Sequence, residues 1–220
     1  MIAGVLSIDD LDLRLDGTTL WFVMDGTRHE ARLRSIGESD ALAALDSIDE
    51  SIRAGASIAD AIADAETAVP LYRHMQRGET SSGAVVLNDS HGATKSDMAA
   101  ALRTLVQVAP VGSRTVAVLG EFDSDPANFV EEHDAIGRLA VRLNLGQLIA
   151  VGFGARHLQS AAGLEGSWDG ESLIVGTPEE AYDLLRDQIR ENDVVLVKGA
   201  AHTGLADLAD RVTGAGGPQW

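Results

Sequence analysis

The sequence predicts an α/β protein: a C-terminal, Rossmann-like, doubly wound and mostly parallel sheet, preceded by a small α+β segment. Three observations carry that prediction. From Gly83 onward, five apolar runs of strand length alternate with helical stretches. Before Gly83, short alternating segments joined by Asp-Gly pairs lead into two amphipathic helices. The composition, 45% hydrophobic with 4% aromatic, builds the interior from Ala, Val, Leu and Ile, which suits helices on a parallel sheet.

In chain order, the segments Leu11 to Leu15, Thr19 to Met24 and His29 to Arg34 read as strands, with Asp16-Gly17 and Asp25-Gly26 as hairpin turns. Leu42, Leu45, Ile48 and Ile52 recur at three- and four-residue spacing and predict a helix over Ser39 to Ala54, ended by Gly55. A second helix begins at Ser57 as N-cap, with Asp60 at the capping-box position, and runs to Ala68 before Pro70. These elements make a first region, 1–80. A second region, 81–220, holds the strands AVVLND, TVAVLGE, QLIAVGFG, SLIVGT and DVVLVKG, whose continuous apolar character marks strands buried on both faces. Asp125-Pro126 reads as the N-cap and first residue of one intervening helix. Thr177-Pro178-Glu179-Glu180 reads as a full capping box opening another, to Arg190. The tail after Val212, TGAGGPQW, reads as a frayed end. Strand, helix, strand at regular intervals implies right-handed crossovers.

The formal charge is −17, from 34 acidic and 17 basic residues, and only Lys95 and Lys198 are lysines. Such a surface repels phosphate backbones and no basic cluster offsets it, so nucleic acid is not expected as a partner. There is no cysteine, which excludes disulfides, thiolate catalysis and Cys-based zinc sites. The N-terminus lacks a basic leader region and no apolar run reaches membrane-spanning length, so the expectation is a soluble cytoplasmic protein that does not enter a membrane.

Open α/β sheets bind ligands beyond the carboxyl ends of their strands. Here that edge comprises Asn88-Asp89-Ser90-His91, Gly120-Glu121, Gly152 to Gly154, Gly176-Thr177 and Lys198-Gly199. Neither GxxxxGK[ST] nor a strand followed by GxGxxG occurs, and GxSxG and HExxH are absent, so self-sufficient ATP hydrolysis and these hydrolase chemistries are not expected. His91, with Lys95 and Asp97, stands past a strand end, where imidazole and ammonium suit acid/base work or anion binding. His202 near Lys198 suits a second such pair with His91. Glu121, Asp123 and Asp125 form an acidic cluster read as serving a helix start rather than a metal, and no metal site is expected.

Three segments resemble the C-terminal domain of the Mur ligases, most of all the D-alanyl-D-alanine-adding (MurF-like) type. VVLNDSHGATKSDMAAALRTL is similar to the family's strand ending in DDSYNANP or NDSKATN and its following helix. TVAVLGEFDSDPANFVEEHDAIGRLA is similar to AVLGDM…ELG…H..VG, with Gly120, Glu121, His133 and Gly137 in corresponding places. NDVVLVKGAAHTGLADLADRV is similar to D.VLVKGSR…LE..V. Upstream, Val69-Pro70 followed by Arg73, Met75 and Gln76 resembles VPGRMQ with extra length before the arginine. Gly37 to Leu42 resembles the helix start that closes the family's central ATPase domain, so the first region resembles the tail of that domain.

The resemblance implies a nucleotide-binding group of Arg73, Asn88, Asp89 and His91, with Asp89 on the ribose and Arg73 on the phosphates. It also implies a substrate-facing group of Lys95, Glu121, Lys198, Gly199 and His202, and ATP with Mg²⁺ as cofactors of a completed enzyme. Departures accompany it. The family's His-Asn pair is Ser39-Asp40, the adenine-holding Tyr-Asn-Ala-Asn-Pro run is His91-Gly92-Ala93-Thr94-Lys95, and Ser-Arg after Lys-Gly is Ala200-Ala201. The phosphate loop and carbamylated lysine have no counterpart. The expectation is a truncated, diverged homologue acting as accessory or partner subunit of an ATP-dependent amide ligase in cell-wall or specialised peptide biosynthesis. A partner chain supplying the N-terminal and ATPase parts, or a homodimer, would complete it on a small-molecule or peptide substrate. The alternative is a non-catalytic module binding a small ligand or protein at the strand-end edge; a third reading is a degraded or cut fragment.

Overall fold

The computed structural model describes residues 6–165, 168 and 170–214. The chain forms two compact units that divide between Leu71 and Tyr72. The division expected at 80/81 thus falls nine residues earlier. Residues 76–79 form a strand that pairs with the second unit's sheet, which the polar run QRGE gave no apolar signal to predict.

The first unit is a meander of β1 (Ser7–Arg14), β2 (Gly17–Met24) and β3 (Thr27–Leu33), packed on one face by α1 (Glu38–Arg53) and α2 (Ile58–Thr67). Leu20 and Phe22 of β2 and Ala31 and Leu33 of β3 meet Ala41, Leu45 and Ile48 of α1 and Ala61 of α2 in its core. The two Asp-Gly pairs differ. Asp25 and Gly26 both take positive φ, 51° and 77°, as a two-residue type I′ turn requires. Gly17 instead opens β2, where a Cβ would run into the carbonyl oxygen of Leu33. The Ser57 hydroxyl caps α2 by accepting from Asp60 N at 3.1 Å. The sheet face away from the helices is charged: Arg28 pairs with Asp9 at 2.7 Å, Arg32 pairs with Glu30 at 2.9 Å, and Trp21 Nε1 donates to Glu30.

The second unit is a six-stranded sheet in the order β4-β5-β9-β6-β7-β8. Its strands are β4 (Gln76–Glu79), β5 (Val85–Asn88), β6 (Thr115–Leu119), β7 (Gln147–Val151), β8 (Glu171–Val175) and β9 (Val194–Lys198). All pairings are parallel except that of the edge strand β4 with β5. Every residue of β6, β7 and β9 is buried, which is why these segments read as unbroken apolar runs. Helices α3 (Lys95–Val108), α4 (Phe129–Arg142) and α5 (Arg156–Gly163) cover one face, and α6 (Pro178–Gln188) and α7 (Leu205–Val212) the other. The chain moves outward from β5 through β6 and β7 to β8, then returns to insert β9 between β5 and β6. Loops after neighbouring strands therefore diverge to opposite faces around β9, the place where such sheets take ligands.

Two helix starts depart from expectation. Asp125-Pro126 makes a turn, with Asp125 Oδ1 accepting from Ala127 N at 2.8 Å, and α4 begins only at Phe129. At α6, Thr177 Oγ1 accepts from Glu180 N, but the Glu180 carboxylate accepts from Gly176 N rather than from the cap residue, so the box is half formed. The complete box is at α3, between Thr94 and Asp97. Of the tail read as frayed, residues 215–220 lie outside the described residues. No helix among the described residues is long and apolar enough to cross a membrane.

Candidate functional site

The carboxyl ends of β5, β9 and β6 are laced together by charge and backbone bonds. Lys198, the last residue of β9, is 2% exposed, and its ammonium donates to Asp89 Oδ2 at 2.7 Å, to Asp89 O at 3.0 Å and to the carbonyl of Gly92. Asp89 is 4% exposed, and its other carboxylate oxygen accepts from Met75 N at 3.0 Å. A buried ion pair with its remaining valences met by backbone holds geometry, and removing one partner strands a charge in the interior. Lys198 and Asp89, which the resemblance assigns to substrate and to ribose, are here buried and paired with each other.

The other residues of the expected nucleotide group are engaged within the chain as well. Asn88 Nδ2 donates to Asp210 and to Ala206 O, and Asn88 Oδ1 accepts from the Ser90 hydroxyl at 2.7 Å. The Arg73 guanidinium donates to Asp207 at 3.0 Å and Asp210 at 2.7 Å. Burial works against its charge, but the hydrogen bond and charge of Asp210 outweigh that and raise its pKa further. Arg73 and Met75 both take positive φ, 58° and 44°, fixed by the bond from Met75 N to Asp89 and by His91 N donating to Arg73 O. The exposed His91 ring lies 5.8 Å from that of His74, while His202 pairs with Glu121. Lys95 is exposed at the first turn of α3. Asp97 is ionised more readily than usual: burial opposes its charge, but the hydrogen bonds from the Thr94 hydroxyl and backbone prevail, with Lys198 and His74 adding to them. Arg73, Asn88 and Asp89 thus share one network of contacts within the chain, in which Arg73 Nε is left buried and without a hydrogen-bond partner among the described residues.

Glu121 and His202 do come together. Their side chains pair at 2.5 Å, and Ala200 N donates to Glu121 O at 2.9 Å, so the loops after β6 and β9 are tied. Gly154 explains how the β7 loop joins them, since a Cβ there would run into the Glu121 carboxylate. A Cβ at Gly199 would press on Gly120, Thr203 and Leu205. The three loops border a cleft of about 490 Å³, lined by Glu121, Phe129, Gly152, Phe153, Arg156 and His202 among others. Arg156 lies 4.1 Å over the Phe153 ring and donates to Phe153 O, while Phe153 is 78% exposed at the cleft. Volume, aromatic wall and charges of both signs suit a small polar ligand. Sequence reasoning did not single out Phe129, Phe153 or Arg156. Position directly after the glycine-ended β7 was the signal available for the last two.

Among the described residues no group of three or more His, Asp or Glu is placed to hold a metal. The acidic cluster divides: Glu121 pairs with His202, Asp123 N donates to Ala93 O, and Asp125 shapes its own turn.

Comparison with known proteins accords with this architecture. The family model described as Mur ligase, glutamate ligase domain, matches residues 73–201. The UDP-N-acetylmuramoyl-tripeptide–D-alanyl-D-alanine ligase of Mycobacterium leprae is 34% identical over 201 residues, covering 85% of this chain and 39% of that protein. The chain thus spans about two-fifths of the length of this relative. The MurF crystal structure from Acinetobacter baumannii superposes with a TM-score of 0.80 at 19% identity, over 95% of this chain and 45% of that one. MurC from Thermotoga maritima gives 0.74 at 16% identity. A family match across more than half of the chain, on a sheet of the same fold, places this protein in the Mur ligase family.

Proposed function

We propose that this chain is the acceptor-binding part of a MurF-like ligase, with the cleft beside Glu121 taking a small zwitterionic acceptor of the D-alanyl-D-alanine type. The observation that carries the reading is a carboxylate, Glu121, and a guanidinium, Arg156, lining one cleft at the sheet's carboxyl edge. A carboxylate suits the acceptor's ammonium, and a planar guanidinium suits its terminal carboxylate. Orienting an amine in this way is the contribution such a unit makes to amide formation: it converts an encounter into a fixed approach.

No segment of the sequence fits a phosphate loop, and Arg73, Asn88 and Asp89 make contacts within the chain. In this reading ATP and Mg²⁺ bind to parts supplied by another polypeptide in the cytoplasm, and the chain is an accessory or partner subunit in cell-wall or specialised peptide synthesis. The edge strands β1 and β3 of the first unit, each paired on one side only among the described residues, are where a partner's strands would add. A non-catalytic binding module is the second reading, favoured by the self-contained Asp89–Lys198 and Arg73–Asp210 pairs.

Calorimetry separates the two. The ligase-part reading expects D-alanyl-D-alanine to bind, Glu121→Ala and Arg156→Ala each to weaken it about tenfold or more, and ATP·Mg²⁺ alone to show no heat. Absence of dipeptide binding to the wild-type chain, alone and with a candidate partner, would leave the module reading.

A further inference from the structure

His133 is fully buried in the first half of α4, stacked between Phe122 at 3.9 Å and Phe129 at 4.0 Å. Both of its ring nitrogens meet backbone. Nδ1 lies 2.7 Å from Phe129 O, which only accepts, so Nδ1 carries the proton. Nε2 is then the bare nitrogen, and it accepts from Phe122 N at 3.3 Å. Phe122 directly follows Glu121, and Phe129 lines the same cleft, so one imidazole joins two of its walls.

We propose that His133 is a positioning residue for the cleft: as a neutral, Nδ1-protonated imidazole it holds the loop carrying Glu121 against the start of α4, and its protonation releases that loop. A proton on Nε2 would set a second donor against the Phe122 amide, and two facing N–H groups repel where water cannot separate them. The ionisable groups that act on His133 are Glu121 from the loop after β6, His157 from α5 and Glu132 on its own helix. The buried side of α3, which also packs on α4, holds Met98, Ala101, Leu102, Thr104, Leu105 and Val108 and no ionisable group. Burial pushes the His133 pKa below the ordinary histidine value of 6.5. The loop is therefore held at neutral pH and released in acid. The structural claim is independent of the ligand; its consequence for dipeptide binding rests on the acceptor reading above.

The test is nitrogen-15 NMR of the full chain across an acid titration, with amide exchange read at Phe122. The expected result is the Nδ1-protonated tautomer at neutral pH, and Phe122 exchange that accelerates about tenfold or more as His133 protonates, while amides of β6 and β9 stay protected. In His133→Gln, which keeps an acceptor, the Phe122 amide stays protected in acid; in His133→Leu it is exposed already at neutral pH. If His133→Leu does not fold, the wild-type titration decides. An Nε2-protonated tautomer, or Phe122 exchange indifferent to His133 protonation, overturns the proposal. D-alanyl-D-alanine affinity that is constant through the His133 titration overturns the proposal and leaves the acceptor reading standing. A responsive loop with no dipeptide binding at any pH supports the proposal and overturns the acceptor reading.

Discussion

Asp89 shows how a residue's chemistry and its place can diverge. As a carboxylate at a strand end it suits a ribose, yet it sits 4% exposed with both oxygens committed, one to Lys198 and one to Met75 N. Asp89→Ala would leave the Lys198 ammonium buried without its counter-charge, and should cost about 3–5 kcal/mol of stability in denaturant unfolding. Unchanged stability would mean that Lys198 finds water. His133 and Asp97 both contribute to the acid limb of stability. The lowered pKa of His133 means that the unfolded chain takes up the proton first, so its contribution is complete above about pH 6.5 and lost as pH falls through the lower folded value. Asp97, also lowered, follows the same sign further down, complete above its unfolded value of 3.8 and lost below it. Stability measured against pH should therefore fall from pH 7 toward 5, and His133→Gln should flatten that part of the curve. At this scale the sequence was least legible. Resemblance set Glu121 and His202 in one substrate-facing group, but their direct pairing depends on a crossover that brings β9 beside β6, and spacing along the chain carries no trace of that.

At the scale of elements, the strands and most helices follow from periodicity and caps. The strands buried on both faces read as unbroken apolar runs, and the two helices of the first unit lie within a residue of expectation at their N-termini. The misses have local causes. β4 is polar because it is an edge strand, and Asp125-Pro126 spends its cap oxygen on a turn before the helix begins. Glycines mark where elements approach closely. A Cβ at Gly137 of α4 would run into the carbonyl of Leu158 on α5, so Gly137→Ala should destabilise by about 1–3 kcal/mol, as a shift in the unfolding midpoint would record. Gly154→Ala acts differently. It should push the Glu121 carboxylate aside, weakening dipeptide binding about tenfold in calorimetry while the unfolding midpoint moves far less than for Gly137→Ala.

At the scale of the whole molecule, the doubly wound second unit was legible because five apolar runs alternating with helical stretches admit few other folds. The family followed from motifs carried on that frame and is borne out by the match over residues 73–201. What the sequence could not give is the allocation of charges. Of the residues that resemblance assigns to nucleotide, Arg73, Asn88 and Asp89 make contacts within the chain, and a cleft lies beside Glu121, Phe153 and Arg156. If the proposed function holds, this cleft, and not the Arg73–Asp89 side, takes the ligand. Amide chemical-shift mapping of the full chain titrated with D-alanyl-D-alanine distinguishes the two. Saturable shifts are expected at Glu121, Gly154, Arg156 and His202 with Arg73, Asn88 and Asp89 unmoved; shifts confined to Arg73 through Asp89, or none at all, would overturn this assignment.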